Sequence, residues 1–351
     1  MRKLALLLGS LVVVASASAK EVVPAPVVVE EAPVQIVEKE VIVYRDKEEG
    51  FRPNGNVDLQ YRYYGETEGQ DGEKATDWNT GDNRYSRTQL SGAIQMTEAQ
   101  KLEFRVRDWN SLKHGETDPD SEIRLRYFYN HGNLGDSKVN FTSRIQYRDR
   151  EDEKQDIEYM AKFNFAEYMF NNDFVKTTDF TVAPRYAYVW DAKDNYENQL
   201  GVDLYTFHEL PLGLSAEFNV YTTQSFFEED QAFDGGRKQE DKNFAVDVEA
   251  YLYHSLPLYS NDKLSIAFNN EGGYDQYNWS KEKQFGERKD GKDKYSVYLL
   301  STIGVDYQAT PNVTLYAAAG AEYRNWKNEH SNCASDWRWQ PTAWAGFKTT
   351  F

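Results

Sequence analysis

The stretch WRWQPTAWAGFKTTF runs from Trp337 to Phe351. One set of alternate positions reads Trp337, Trp339, Pro341, Ala343, Ala345, Phe347, Thr349 and Phe351, and it is mostly apolar. The other set reads Arg338, Gln340, Thr342, Trp344, Gly346, Lys348 and Thr350, and it is mostly polar. A period of two is that of an extended strand, whose successive side chains point to opposite faces. The stretch therefore reads as a strand with an apolar face and a polar face, each meeting a different environment.

The same unit recurs along most of the chain. It begins with NVDLQYRYY, where Val57, Leu59, Tyr61 and Tyr63 alternate with Asp58, Gln60 and Arg62. Further alternating segments fall near 84–96, 101–110, 121–130, 137–148, 156–165, 178–190 and 197–208. The rest lie near 214–225, 243–254, 263–276, 294–307, 312–326 and 336–351. That makes about fourteen, an even number suited to a closed antiparallel barrel, with sixteen as the alternative. The connections also alternate. TEAQ (97–100), HGNLGD (131–136), LPLG (210–213), LPLYSND (256–262) and QATPN (308–312) read as short turns. Longer polar stretches cover 65–83, 227–242 and 280–293. Short turns on one rim and long loops on the other are the pattern of an outer-membrane barrel. The expected fold is therefore all-β, a transmembrane antiparallel β-barrel over residues 53–351.

Composition agrees. The chain has 351 residues, 15% of them aromatic, and a mean hydropathy of -0.77, with no apolar stripe at helical spacing. This suits a barrel whose apolar surface is one residue deep. Arg2 and Lys3, the run LALLLGSLVVVA and the small residues ASASA read as a signal peptide over 1–19, cleaved between Ala19 and Lys20. Residues 20–52 mix Val, Pro and Glu and read as a solvated periplasmic tether. The formal net charge of -17 excludes nucleic acid as a partner. The lone Cys333 and five scattered histidines give neither a disulfide nor a metal-ligand spacing. His114 and His330 fall in outer loops without a nucleophile partner, so the chain is expected to be no enzyme and to need no cofactor.

If the apolar face meets lipid, the other face lines an interior. The early segments put Arg62, Arg87, Arg105, Arg107, Arg124, Arg126, Arg144, Arg148 and Arg185 on that face. Later segments put Asp203, Glu217, Asp247, Glu249, Glu271 and Glu322 there. Two opposed arcs of charge would set up a transverse field favouring small polar solutes. Glu103 and Glu158 interrupt the basic arc, Arg324 and Arg338 the acidic one, and local pairing is the alternative reading. Residues 65–83 carry six acids against one lysine, and 227–242 six acids against three bases. Such a mouth is expected to enrich cations weakly.

The chain resembles the FomA-type major outer-membrane porins of fusobacteria nearly end to end. MRKLALLLGS, VIVYRD, RPNGNVDLQYRYYGE, RLRYFYNHGNLGDSKVNFTSRIQYR, DVEAYLY, EGGYDQYNWS, AGAEYRNW and the closing stretch carry the resemblance. It implies a trimeric general-diffusion channel for ions and small hydrophilic solutes in the cell outer membrane, closing at high voltage, with both termini periplasmic. An adhesive role is implied as well. The amphipathic last strand, with Trp339, Phe347 and terminal Phe351, resembles the signal read by the barrel-assembly machinery. A substrate-specific channel, plugged by residues 20–50, and a surface adhesin with an incidental pore stay open as alternatives.

Overall fold

The computed structural model describes residues 50–69, 84–112, 120–150, 154–191, 195–233, 236–282, 296–327 and 334–351. The expected signal peptide, nearly all of the tether, and His114, His330 and Cys333 lie outside them. Backbone contacts divide the chain into two units, Met1–Arg52 with Phe351, and Pro53–Thr350. The second unit is a single closed sheet.

Its strands are β1 (Asn54–Tyr64), β2 (Tyr85–Gln95), β3 (Gln100–Ser111), β4 (Asp120–Asn133), β5 (Asn140–Arg150), β6 (Lys154–Asn164) and β7 (Lys176–Asp191). They continue with β8 (Tyr196–Glu209), β9 (Leu214–Phe233), β10 (Lys238–Ser260), β11 (Leu264–Ser280), β12 (Ser296–Thr310), β13 (Val313–Lys327) and β14 (Ala334–Thr350). Each strand pairs with its sequence neighbours, and β14 returns to β1, closing a barrel of 14. The closing ladder runs from Asn56 opposite Thr350 to Tyr64 opposite Thr342. The strand whose alternation decides the fold is thus the one that removes the last open edge, where backbone N–H and C=O groups would otherwise stand unpaired.

Several boundaries differ from the sequence reading. The polar stretch 227–242 is mostly a paired hairpin, with Lys238 opposite Phe233 and Glu240 opposite Gln231. The run 256–262 is mostly strand, with Ser260 opposite Ser265. The fourth strand runs on to Asn133, into the expected turn at 131–136, through a bulge between Asn130 and Gly132. Backbone pairing needs hydrogen bonds, not alternation, so a polar hairpin stays paired where it meets water on both faces. The rhythm of the connections is correspondingly uneven. Only 151–153 separates β5 from β6 on the long-loop rim. On the opposite rim, 165–175 spans eleven residues and holds a 3-10 turn at Ala166–Tyr168.

The two faces are told apart by contacts that skip a strand. On a concave surface side chains converge, so a residue can reach over one strand to the next. Tyr316 on β13 donates to Asp58 on β1 over β14, at 2.6 Å. Arg185 on β7 donates to the Thr222 carbonyl on β9 over β8, at 3.1 Å. Lys154 on β6 reaches Glu197 on β8 at 3.3 Å. All three lie on the face that carries Arg62, which is therefore the inner wall. Two glycines make the crossings possible. A Cβ on Gly346 would stand 2.5 Å from the Tyr316 hydroxyl oxygen, and one on Gly201 would stand 3.0 Å from Arg185 Nε. Gly346→Ala is expected to lower unfolding stability of the refolded barrel by about 1–3 kcal/mol, measured by urea titration of tryptophan fluorescence.

The convex face is apolar and unprotected by protein. Leu200, Leu252 and Ile303 at mid-strand are 50%, 50% and 52% exposed, and Leu125, Ile145, Ile157 and Leu299 share that face. Aromatic side chains gather toward its rims. Tyr323 lies against Trp337 and Trp339, with ring centroids 5.2 Å and 4.7 Å apart. Toward the other rim Phe141 stacks on Phe163 at 5.0 Å.

Candidate functional site

The register places all fifteen sequence-nominated charged residues on the concave wall. Arg62 stands opposite Arg87, Arg105 opposite Arg124, Arg124 opposite Arg148, and Arg107 one strand over from Gln89. Arg126 and Arg144 follow at the same parity on β4 and β5, and Arg185 on β7. Asp203 lies opposite Ala183, Glu217 opposite Tyr251, Asp247 opposite Tyr221, and Glu249 opposite Asn219. Glu271 and Glu322 both stand opposite Leu300, on its two sides. A basic sector over β1–β5 thus gives way to an acidic one over β8–β13.

Local pairing also holds, and it divides the arginines into two classes. Arg105 bonds Glu122 through Nε at 3.1 Å and through Nη2, and Arg148 Nε bonds Asp156 at 2.6 Å. Arg144 bonds Glu158, which also stands 3.7 Å from Arg185 Nη1. Arg185 in turn lies 3.1 Å from Asp203. Arg324 is paired with Glu322. Charged pairs this far from bulk water are held by hydrogen-bond geometry as much as by Coulomb attraction.

Among the described residues the second class has no carboxylate within ion-pair distance. Arg62 Nε donates to Thr342 Oγ1 at 3.0 Å, and its guanidinium lies over Tyr64 and Trp344, 4.5 Å and 4.8 Å from the ring centroids. Arg87 donates to Gln60 at 3.4 Å, while its buried Nε finds no acceptor. Arg107 Nε donates to Gln89 at 2.7 Å, and its guanidinium lies 5.9 Å from the Trp109 ring. Arg126 Nε donates to Gln146 at 2.7 Å. Arg124, on the same wall opposite Arg105, belongs with them.

The acidic sector is arranged differently, by tyrosines. Tyr221 donates to Glu249 at 3.0 Å, Tyr253 to Glu217 at 3.0 Å, Tyr205 to Asp203 at 3.2 Å, and Tyr298 to Glu271. Gly273 leaves the space that the Tyr298 and Tyr251 rings occupy. The sequence reading named only charged residues for the inner face and so missed these tyrosines. Their parity with the neighbouring acids was the available signal. It also missed Glu122 and Asp156, which sit at inward parity within the basic sector.

On the convex side, Trp339 pairs with Tyr323, and Phe347 stands opposite both Leu59 and Leu315. Ala317 and Ala319 stand opposite Ala345 and Ala343, and Ala321 opposite Pro341, so one outer patch is flat.

No family model matches the chain, and no curated protein matches it. Solved structures resemble it in shape. A bacterial polysaccharide outer membrane secretin shares 12% identity, with 85% of this chain and 97% of that one covered and a TM-score of 0.37. An anion-selective porin from Comamonas acidovorans shares 8%, with 86% and 99% covered and a TM-score of 0.37. The translocator domain of the autotransporter NalP from Neisseria meningitidis shares 14%, with 85% and 88% covered and a TM-score of 0.36. Proteins of such different roles at such low similarity leave the role of this barrel to its own residues.

Proposed function

We propose that the chain is an outer-membrane channel, a passive conduit for ions and small hydrophilic solutes. One observation carries this reading: the barrel is closed, its convex face is exposed and apolar at mid-strand, and its concave face holds the charges. In hydrocarbon every backbone polar group needs a partner within the protein, and a closed sheet supplies one. Lipid covers Leu200, Leu252 and Ile303, and the aromatics near the rims sit at the two interfaces. The charged wall faces water. On this reading the short-turn rim and both termini are periplasmic, residues 1–19 are removed on export, and 20–52 form the tether. Trp339 and Phe347 on the last strand, with Phe351 following it, present the barrel to the assembly machinery.

The finer properties follow the resemblance to the fusobacterial porins: trimers, general diffusion and closure at high voltage. The acidic stretch 65–83 and the acidic hairpin over 227–242 set a weak cation preference for monovalent ions. Refolded protein in planar bilayers is expected to conduct in KCl in steps grouped by three, with reversal potentials on the cation side at low salt. Absence of conductance from correctly refolded barrels would overturn the channel. Clear anion preference in KCl would overturn the selectivity alone.

A further inference from the structure

Five inward arginines on four consecutive strands are not neutralised by a carboxylate among the described residues, and four of them are held in place by neutral partners. Among the described residues Arg62, Arg87, Arg107, Arg124 and Arg126 make no ion pair with a carboxylate, whereas Arg105, Arg144, Arg148, Arg185 and Arg324 each make at least one. The acceptors that Arg62, Arg87, Arg107 and Arg126 use are neutral: Thr342, Gln60, Gln89 and Gln146. Aromatic rings of Tyr64, Trp344 and Trp109 back two of the guanidiniums. Packing on rings and bonds to amides orients the planar forks while leaving their charge and other N–H donors uncommitted.

The five form a continuous series. Arg62 and Arg87 are direct cross-strand partners. Arg107 lies two residues from Trp109, the partner of Arg87, and Arg124 two from Glu122, the partner of Arg107. Same-face diagonal neighbours of this kind are about 7–8 Å apart. The nearby carboxylates are engaged elsewhere: Glu122 by Arg105, Glu103 by Lys101 at 2.6 Å, and Asp58 by Tyr316. Glu103 stands opposite Arg126, which makes that end of the series the least positive.

We propose that this arginine series, centred on Arg62, Arg87 and Arg107, is a binding site for solutes carrying two or more phosphate groups. Guanidinium forks bind phosphate oxygens in pairs, and a run of like-charged forks rewards a ligand that spans several of them. A monovalent anion gains little there, so the site coexists with weak cation preference in KCl. Inorganic pyrophosphate is the simplest probe.

This inference rests on the channel reading, and the experiment separates the two. Refolded full-length barrel in a planar bilayer is titrated with pyrophosphate at constant KCl. Conductance is expected to fall saturably, and the half-blocking concentration, read as a fraction of each protein's own KCl conductance, to rise at least tenfold in Arg62→Gln/Arg87→Gln/Arg107→Gln. Conductance without saturable block, or block unmoved by the substitutions, overturns the site and leaves the channel standing. If no conductance is seen, the channel reading fails, and calorimetric titration of the refolded barrel in detergent decides the site: arginine-dependent pyrophosphate binding supports it and no binding overturns it. Should the triple variant not refold, Arg87→Gln and Arg107→Gln singly are each expected to shift half-block, or affinity, at least threefold, and no shift in either overturns the proposal.

Discussion

Arginine at position 303 is expected to be badly tolerated, and arginine at position 300 of the same strand is not. Ile303 sits at the middle of β12 on the convex face and is 52% exposed. With lipid against that face, Ile303→Arg places a guanidinium near the bilayer midplane, at a cost of about 2–4 kcal/mol. Leu300 points inward between Glu271 and Glu322, its partners on the two adjoining strands. Leu300→Arg gives the same side chain a wet interior and two opposite charges across the ladder, an arrangement that is favourable in sheets. Urea unfolding in lipid vesicles, followed by tryptophan fluorescence, should show the first loss and only a small fraction of it for the second. Equal losses would sink the assignment of convex face to lipid and concave face to water.

Glu158→Gln is expected to cost about 3–5 kcal/mol, the range for breaking a buried ion pair by removing one partner. The Glu158 side chain is 11% exposed and sits between Arg144 and Arg185, which are 8% and 9% exposed. Arg144 Nε already lacks an acceptor, so its guanidinium depends on this carboxylate, while Arg185 retains Asp203 at 3.1 Å. Adding Arg144→Gln removes the stranded charge and should restore part of the loss. The resulting coupling is expected at about 1–3 kcal/mol in a double-mutant cycle. Because the pair is screened from bulk ions, the loss should persist in high salt. Additive single effects would show that the two groups do not act together.

The sector of free arginines gives these pairs a functional meaning. Where the wall needs rigidity, around Arg144 and Arg185, carboxylates are built in beside the guanidiniums. Beside Arg87, Arg107 and Arg126 stand Gln60, Gln89 and Gln146, amides on β1, β2 and β5 that orient these arginines without cancelling their charge. On the opposite wall Tyr221, Tyr253 and Tyr298 do the same for carboxylates. The two sectors thus face one another with their charges oriented by neutral partners.

By itself, the sequence determined the all-β barrel, a count of about fourteen strands, the inward face of the fifteen named charges and the hairpin order, because alternation is a local property and a slip of one residue would turn every side chain over. Trp337–Phe351 reads in the structure as it reads on the page, down to Arg338 and Lys348 on the wall and Trp339 and Phe347 outside. Strand ends were legible only where a turn breaks the pairing. The polar hairpin of β9 and β10 was not, since water on both faces erases the alternation without breaking the ladder. Partners were decided by the tertiary structure alone. Closure brings Tyr316 to Asp58 across 258 positions of sequence, and curvature lets Arg185 cross β8 over Gly201. Which arginines are neutralised and which stand free depends on register and on these crossings, and neither is encoded in any one segment.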